Sequence, residues 1–552
     1  MALKRGSRAA FATHVGVNAS SGAPDLRIPP FLTAAVFTLL AAIYLVRLGA
    51  GSLWDNSEPT YGEIVKELFR TGDWLTLHLN FRPWDTHPPL WFWTAGLSAM
   101  LFGLNEFALR LPSALFGIAT AIATYRAGRR MYGSAEGLIA ALAAGTSLEM
   151  IVLSRLAMME TALIFFMTVA FFWSYFALRD GDGRALWIAA AAAALGTLTK
   201  GPIALVLPLL VILLWLAWTR GWSRLRGQPV LGAAVAYIVI AGSWFAIATM
   251  LRGSGFLGEY FGLSNVGRFL HPFENQPGPW WYYVPVLLLG FFPFIAFLPQ
   301  ALQRAWRLRS DDERFLLLCV AVPFVFFSIA QTKLPNYIAV FFPALGILVA
   351  SFVGASAREN NLRPLRSALI FLPAALVLLT AGIAFYGRLH FQGEMAALAP
   401  SLATLAWLVV VPCVLTAVLT VALKRVWLAP VGLSLTMAGF VAALAFFILP
   451  EVETFKPMKG MAAQLMSHDR AGDAVCFDGV SGGFSLLFYT ESGPVTSIGH
   501  DPTDVNPKKY FAAEKRALCV VSPQRYDDLR ASGLPLTVLA RDQKLWLVTN
   551  SL

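Results

Sequence analysis

Runs of about 20 mostly apolar residues recur along most of this chain, the length a helix needs to cross a bilayer. They fall at 31–48, 108–126, 134–152, 162–178, 185–199, 201–219, 229–250, 281–301, 315–331, 337–354, 367–385, 402–423 and 427–450. That pattern predicts about 13 membrane helices. Between the first two runs it changes. Tyr61, Ile64, Val65, Leu68 and Phe69 recur at helical spacing, with Glu63, Lys66, Glu67 and Arg70 on the opposite face. This predicts an amphipathic helix lying in the membrane interface. The apolar stretch 88–104 is assigned to the outer interface as well, because a crossing there would invert every later loop. From about Glu451 the apolar runs shorten to AVCF, SLLFY, ALCVV, LTVLA and KLWLVTN, separated by Gly, Pro, Asp and Ser. Such runs predict a small α/β domain. The expected division is a tail at 1–30, a transmembrane domain at 31–450 whose loop 51–107 carries interfacial helices, and a C-terminal domain at 451–552.

Composition sharpens the class. Of 552 residues, 57% are hydrophobic and 14% charged, where a soluble domain carries about 25% charged residues. An all-α polytopic membrane protein follows. The net charge of +11 would suit nucleic acid, but the basic residues sit in short loops between spans, so no nucleic-acid partner is expected. Loops rich in Lys and Arg, such as Arg126/Arg129/Arg130 and Arg304/Arg307/Arg309/Arg314, alternate with poor ones. The positive-inside rule puts the rich set, and the N-terminus, in the cytoplasm. An odd number of spans then puts the C-terminal domain outside. The polar first thirty residues lack a leader's apolar core and cleavage site, so the first span is expected to be retained. Cys319 and Cys413 lie in apolar runs and Cys476 and Cys519 in the C-terminal region, with no metal-ligand spacing. The last two can pair if their domain lies in an oxidising compartment.

Candidate chemistry concentrates in one stretch, DNSEPTYGEIVKELFRTGDWLTLHLNFRPWDTHPPL, running from Asp55 to Leu90. Charge beside a bilayer is costly, so ionisable groups there are functional candidates by default. Asp55, Glu58, Asp85 and His87 belong to this loop. With the topology above, Glu160, Lys200, Arg268, His271, Lys333 and Tyr337 fall on the same outer side. Carboxylates and cations on one face suit a definite reaction. A sugar carried on a lipid phosphate leaves that phosphate behind, and cations stabilise the departing anion. The attacking hydroxyl needs a carboxylate base. Blander roles exist for each: Asp55 as a helix N-cap, His87 in a turn before two prolines, Lys200 as an anchor at a helix end. Asp55, Glu58 and Glu160 could also hold a hard cation; no cofactor is expected to be obligatory, with a divalent metal left as an alternative.

The motifs DNSEPTYGEIVKELFRTGDW, HPPLWFW, FGLNEFALRLPS, LSRLAMMETALIFF, LGTLTKGPIALVLP, PGPWWYYVPVLLLGFFPF and TKLPNYIAVFFPALGIL, in this order, resemble the GT-C glycosyltransferases of the protein O-mannosyltransferase superfamily. The resemblance is greatest to the bacterial branch containing the aminoarabinose transferase of lipid A, and it covers most of the chain. It implies a GT-C fold of roughly 13 helices with an outer C-terminal domain. It also implies an inverting transfer of a monosaccharide from a polyprenyl-phosphate donor to a lipid, glycan or protein acceptor at the periplasmic face of a bacterial inner membrane. Asp55 or Glu58 would be the base. Arg268, Lys200 and Lys333 would hold the phosphate, helped by Tyr337, while Tyr61, Asp85, His87, Glu160 and His271 line the substrate pocket. Two departures stand out. The family's usual Asp-Glu pair is Ser57-Glu58 here, with Asp55 two residues earlier. The chain also has Asp85-Thr86-His87-Pro88-Pro89-Leu90, like protein mannosyltransferases, where the lipid A branch has Lys before Pro-Pro-Leu.

Two readings from other classes stay open at this point: a lipid or solute transporter, and a glycolipid-binding protein with the same fold and no catalysis. Transporters tend to carry internal repeats and midplane polar residues in broken helices. No repeat is evident, and the charges gather at one end of the helices.

Overall fold

A computed structural model describes residues 28–551 except 55–56, 254, 272–275, 391, 481–482, 500–503 and 543; the side chains of 263–265, 268, 383, 387–389 and 393–395 also lie outside the description. The N-terminal tail up to 27, Asp55, and the side chain of Arg268 are therefore not described.

Each of the predicted apolar runs has a helical counterpart. Among the described residues, seven helices are long and apolar enough to cross a membrane, or nine if each of two bent pairs is one span. Glu160–Asp180 and Phe342–Arg358 form the centre and are buried on nearly every side, which is why their apolar residues follow no single stripe. Val230–Arg252 is largely unburied and exposes Leu231, Ile238, Val239 and Met250, as a helix facing lipid does.

Two of the predicted single spans are broken. The 134–152 run bends by 65° between Ser134–Gly145 and Leu148–Arg155, and the 281–301 run by 109° between Tyr283–Gly290 and Phe294–Leu308. Pro293 has no N–H to continue a helix, and the Thr146 and Ser147 hydroxyls bond back to Leu142 O and Ala144 O. The two breaks meet: Leu148 N donates to Phe292 O at 3.0 Å, so one break satisfies a backbone donor with the other's carbonyl.

The first loop differs from its expectation in one respect. The helix Ser57–Thr71 forms, but most of its charged face is withdrawn from water: Glu63, Lys66 and Glu67 are buried, and Arg70 is partly exposed. The C-terminal domain covers that face. Lys66 Nζ donates to Leu487 O (2.9 Å), Phe488 O (2.9 Å) and Thr490 O (2.5 Å), capping the carbonyl end of the helix Gly483–Tyr489. Below it a short hairpin pairs β1 (His78–Leu79) with β2 (Arg82–Pro83). Leu90–Phe102 follows with 13 residues, about 20 Å of helix, too short to cross a core about 30 Å thick.

The C-terminal segment is an α/β unit. Its strands are β3 (Ala474–Asp478), β4 (Val495–Ser497), β5 (Ala517–Val521), β6 (Thr537–Arg541) and β7 (Trp546–Thr549), in sheet order β4-β3-β5-β7-β6. β3 runs parallel to both β4 and β5, and β7 antiparallel to β5 and β6. β5 is buried at every position, as a central strand covered on both faces must be. Cys476 and Cys519 are direct register partners on β3 and β5 and form a disulfide.

Candidate active site

The ends of several helices converge on a cavity of about 310 Å³. Its polar end is made by His87, Glu160, Lys200, Asn336 and Tyr337; Leu163, Met167, Val206, Phe326 and Val340 are among its apolar walls. Each polar residue sits at an element's terminus. His87 precedes Leu90–Phe102, Glu160 opens Glu160–Asp180, Lys200 caps Gly183–Thr199, and Asn336 and Tyr337 lie in the turn Pro335–Phe341. A carboxylate at a helix N-terminus and an ammonium at a C-terminus are each favoured by the local dipole. The fold thus brings opposite charges together for local reasons.

Glu160 is the hub. Its Oε1 accepts from Lys200 Nζ at 2.8 Å and from Asn336 Nδ2 at 2.7 Å. Its Oε2 is buried without a hydrogen-bond partner among the described residues. Lys200 Nζ also lies 5.2 Å from the centre of the Tyr337 ring, within cation–π range. His87 packs edge-on against Trp84. A hydrogen-bonded strap runs along the rim: Gln331 N donates to Phe269 O, Thr332 Oγ1 to His271 O, and Lys333 N to Gln276 O. Val266 and Phe269 line the cavity, and Arg268 lies between them in the chain.

Other predicted residues sit elsewhere. Glu58 is 1% exposed. It accepts from Arg110 Nε (2.9 Å) and Nη2 (2.8 Å), from Trp54 N (2.8 Å) and from Ala157 N (2.6 Å). Asp85 is held by both ends of the Arg252 guanidinium at 2.5 and 2.6 Å. Lys333 turns back on its own chain and donates to the carbonyls of Phe327, Ser328 and Ala330, so it caps the helix Asp311–Ile329. Tyr61 joins an aromatic cluster with Trp84, Trp91 and Phe92. His271 is exposed. Asn336, Arg110 and Arg252 were not singled out from the sequence. Among the described residues no three His, Cys, Asp or Glu side chains gather as a metal site.

This architecture has known counterparts. Over the shared length it superposes on a crystal structure of ArnT from Cupriavidus metallidurans bound to undecaprenyl phosphate, with TM-score 0.81, 23% identity, and 95% of this chain and 98% of that one covered. The chain has the ArnT fold. A family profile described as dolichyl-phosphate-mannose-protein mannosyltransferase matches residues 86–245. Among curated relatives, the undecaprenyl phosphate-alpha-4-amino-4-deoxy-L-arabinose arabinosyl transferase of Edwardsiella ictaluri is 32% identical over 61% of this chain and 61% of its own length. That of Erwinia tasmaniensis is 32% identical over 57% and 58%. The match thus spans about three fifths of these relatives. An uncharacterised protein of Aquifex aeolicus is 27% identical over 81% of this chain and 85% of its own. Within the ArnT fold, the profile-matched region holds His87, Glu160 and Lys200 of the polar cavity.

Proposed function

We propose that this chain is an inverting glycosyltransferase of the bacterial inner membrane, moving a monosaccharide from a polyprenyl-phosphate donor to a lipid, glycan or protein acceptor at the periplasmic face. The observation that carries the reading is the cavity in which Lys200, Glu160, Asn336 and His87 face an apolar wall: a cationic end for a phosphate beside a surface for an isoprenoid chain. The ArnT fold supports it, since the Cupriavidus protein was crystallised with undecaprenyl phosphate. Relatives named for aminoarabinose transfer from that carrier make a pentose donor the first to test.

In this reading Lys200, held by Glu160, neutralises the leaving phosphate, with Arg268 as a second cation. Glu160 Oε2 is available to a sugar hydroxyl. Asp55 is the base. Glu58, whose oxygens already accept four hydrogen bonds, positions Trp54 and with it the Asp55 loop. Lys333 and Asp85 act as structural ties. The acceptor hydroxyl loses its proton to Asp55 and attacks the anomeric carbon; the bond from that carbon to phosphate oxygen breaks and polyprenyl phosphate departs.

The Cys476–Cys519 disulfide supports an outer C-terminal domain, because disulfides persist in oxidising compartments. Broken helices are also found in transporters, yet the polar groups of the cavity lie at helix ends. Release of polyprenyl phosphate by the purified protein, from a panel of polyprenyl-phosphate sugars with a membrane extract as acceptor source, tests the proposal. Asp55→Asn should lower release by about 10²-fold or more, and EDTA tests a metal. A folded Asp55→Asn variant with full activity sinks Asp55 as base; no release from any donor sinks the transferase.

A further inference from the structure

The helices Gly393–Ala422 and Leu428–Ala443 form a hairpin with an open seam. Leu408, Leu415 and Leu419 line it from the first helix, and Leu428, Val431 and Leu435 from the second, around a hollow of about 430 Å³. All of these but Leu428 are exposed. Thr436, on the floor, bonds back to Gly432 O at 2.9 Å. At Gly439 the hollow meets another of about 580 Å³, which runs on to Phe446 and Phe447. No atom lies within 4 Å of where a Cβ on Gly439 would stand. The missing side chain therefore keeps the seam continuous.

The loop that closes the hairpin is basic. Lys424, Arg425 and Trp427 line a pocket of about 410 Å³ there, with Asn360 opposite and Leu423 at its edge. Leu415, Leu419 and Leu423 follow one another at helical spacing on one face of Gly393–Ala422. The apolar seam thus runs up to the basic pocket. The Lys424 and Arg425 side chains are exposed and have no hydrogen bond or ion pair among the described residues. No carboxylate lines the pocket, and the neighbouring Arg358 is paired with Glu136. Arg425 N bonds Thr420 O and Leu428 N bonds Arg425 O, so the short loop is held by its own backbone.

This pocket lies across the membrane from the transfer cavity. Tyr337 lines the transfer cavity, and its turn leads into Phe342–Arg358. That helix rises about 25 Å before it reaches Ala357 and Asn360 of the basic pocket. A loop bearing Lys and Arg between two spans faces the cytoplasm under the positive-inside rule. From Leu428 to Gly439 the second helix rises about 17 Å, close to half of a hydrocarbon core about 30 Å thick. The first hollow therefore has the depth of one leaflet's acyl chains.

We infer that this hairpin holds an anionic phospholipid of the cytoplasmic leaflet, its acyl chains in the seam and its phosphate between Lys424 and Arg425. Basic pockets at the cytoplasmic ends of membrane helices suit such headgroups. A zwitterionic lipid carries its own cation into the pocket and meets two like charges there. The site shares no lining residue with the transfer cavity, and its readout is binding, so it stands or falls separately from the transferase reading.

The test titrates the full chain in detergent with phosphatidylglycerol and, in a second arm, with phosphatidylcholine of the same acyl chains, and follows lipid adducts by native mass spectrometry. Phosphatidylglycerol should give one tight adduct and bind about ten-fold more tightly than phosphatidylcholine. Lys424→Gln/Arg425→Gln should remove that preference, and Lys424→Arg should keep it. Gly439→Phe, which fills the seam and leaves the charges in place, should weaken the adducts of both lipids. Arg307→Gln/Arg309→Gln, in another Arg-rich loop, should bind as wild type does. Equal binding of the two lipids by wild type overturns the inference, as does a preference that survives Lys424→Gln/Arg425→Gln. A loss of the same size in Arg307→Gln/Arg309→Gln also overturns it, because the attraction then belongs to the whole basic face. A folded Gly439→Phe with undiminished adducts removes the seam from the site and overturns it too; if that variant fails to fold, the exposed charge pair decides alone.

Discussion

Lys200 Nζ and Glu160 Oε1 lie 2.8 Å apart although one closes a helix and the other opens its predecessor in the chain. The pair turns two helix ends into one polar wall, and Asn336 completes it. If Lys200 meets the leaving phosphate, Lys200→Met should lower kcat/KM by about 10²-fold, the cost of losing one charge-stabilising donor. Glu160→Gln keeps an oxygen for Asn336 and should cost about ten-fold. What Glu160 contributes by holding that ammonium group is already lost in Lys200→Met, so the double variant should be less than additive, worse than Lys200→Met only by the Oε2 contact to the sugar. Full additivity in steady-state polyprenyl-phosphate release would contradict this.

Glu58 and Arg110 predict a stability effect of another size. Both are buried, and Arg110 also donates to Leu48 O and Ser52 O. Removing one partner strands the other charge, at about 3–5 kcal/mol. Arg110→Ala should therefore melt well below the parent or fail to purify as a monodisperse species. Glu58→Gln keeps the shape and should melt between the two. A thermal melt in detergent showing Arg110→Ala as stable as wild type would rule out the clamp.

The contrast between these residues marks what a sequence makes legible. Apolar runs located the helices, because burial of twenty residues in lipid leaves a long signal. They could not locate the bends at Thr146 and Phe292, where the deciding bond comes from 144 residues away in the chain, Leu148 N to Phe292 O. Helical spacing separated the two faces of Ser57–Thr71, but says nothing about what covers the charged one; the C-terminal domain does. Polar exceptions at helix ends pointed to His87, Glu160, Lys200 and Tyr337, which share one cavity. The same signal pointed to Lys333, whose ammonium group caps its own helix. Asn336 carries no such signal, because an uncharged amide beside a proline resembles an ordinary turn, and neither does Arg110, a single arginine in an otherwise apolar helix.

The buried face of Ser57–Thr71 carries a pH dependence. Burial pushes the Glu63 carboxyl up to about 7 from its ordinary 4.5, against the pull of Lys66 at 3.2 Å and Arg70 at 3.8 Å, with Glu67 adding to the rise. The folded protein then keeps a proton that the unfolded chain has released. Stability should fall as pH rises from about 4.5 through about 7 and level off above, by roughly 1–3 kcal/mol. Glu63→Gln should flatten this part of the profile and exceed the parent above pH 7. Melting curves from pH 5 to 8 that slope the same way in both proteins would refute it.

Asp85 and Arg252 allow a role to be distinguished from a location. The bidentate pair ties the loop before His87 to the end of Val230–Arg252, and both side chains are partly exposed. If Asp85 touched substrate, exchanging the two charges would not help, since a guanidinium cannot replace a carboxylate facing a sugar. If it only fixes the loop, the exchange keeps the tie. Asp85→Arg and Arg252→Asp alone should each lower transfer, about ten-fold or more, because each sets two like charges side by side and frees the loop that carries His87. Combined, they should recover most of the activity, with KM for the donor near the parent value. A double variant as poor as either single one would move Asp85 from the scaffold into the substrate pocket.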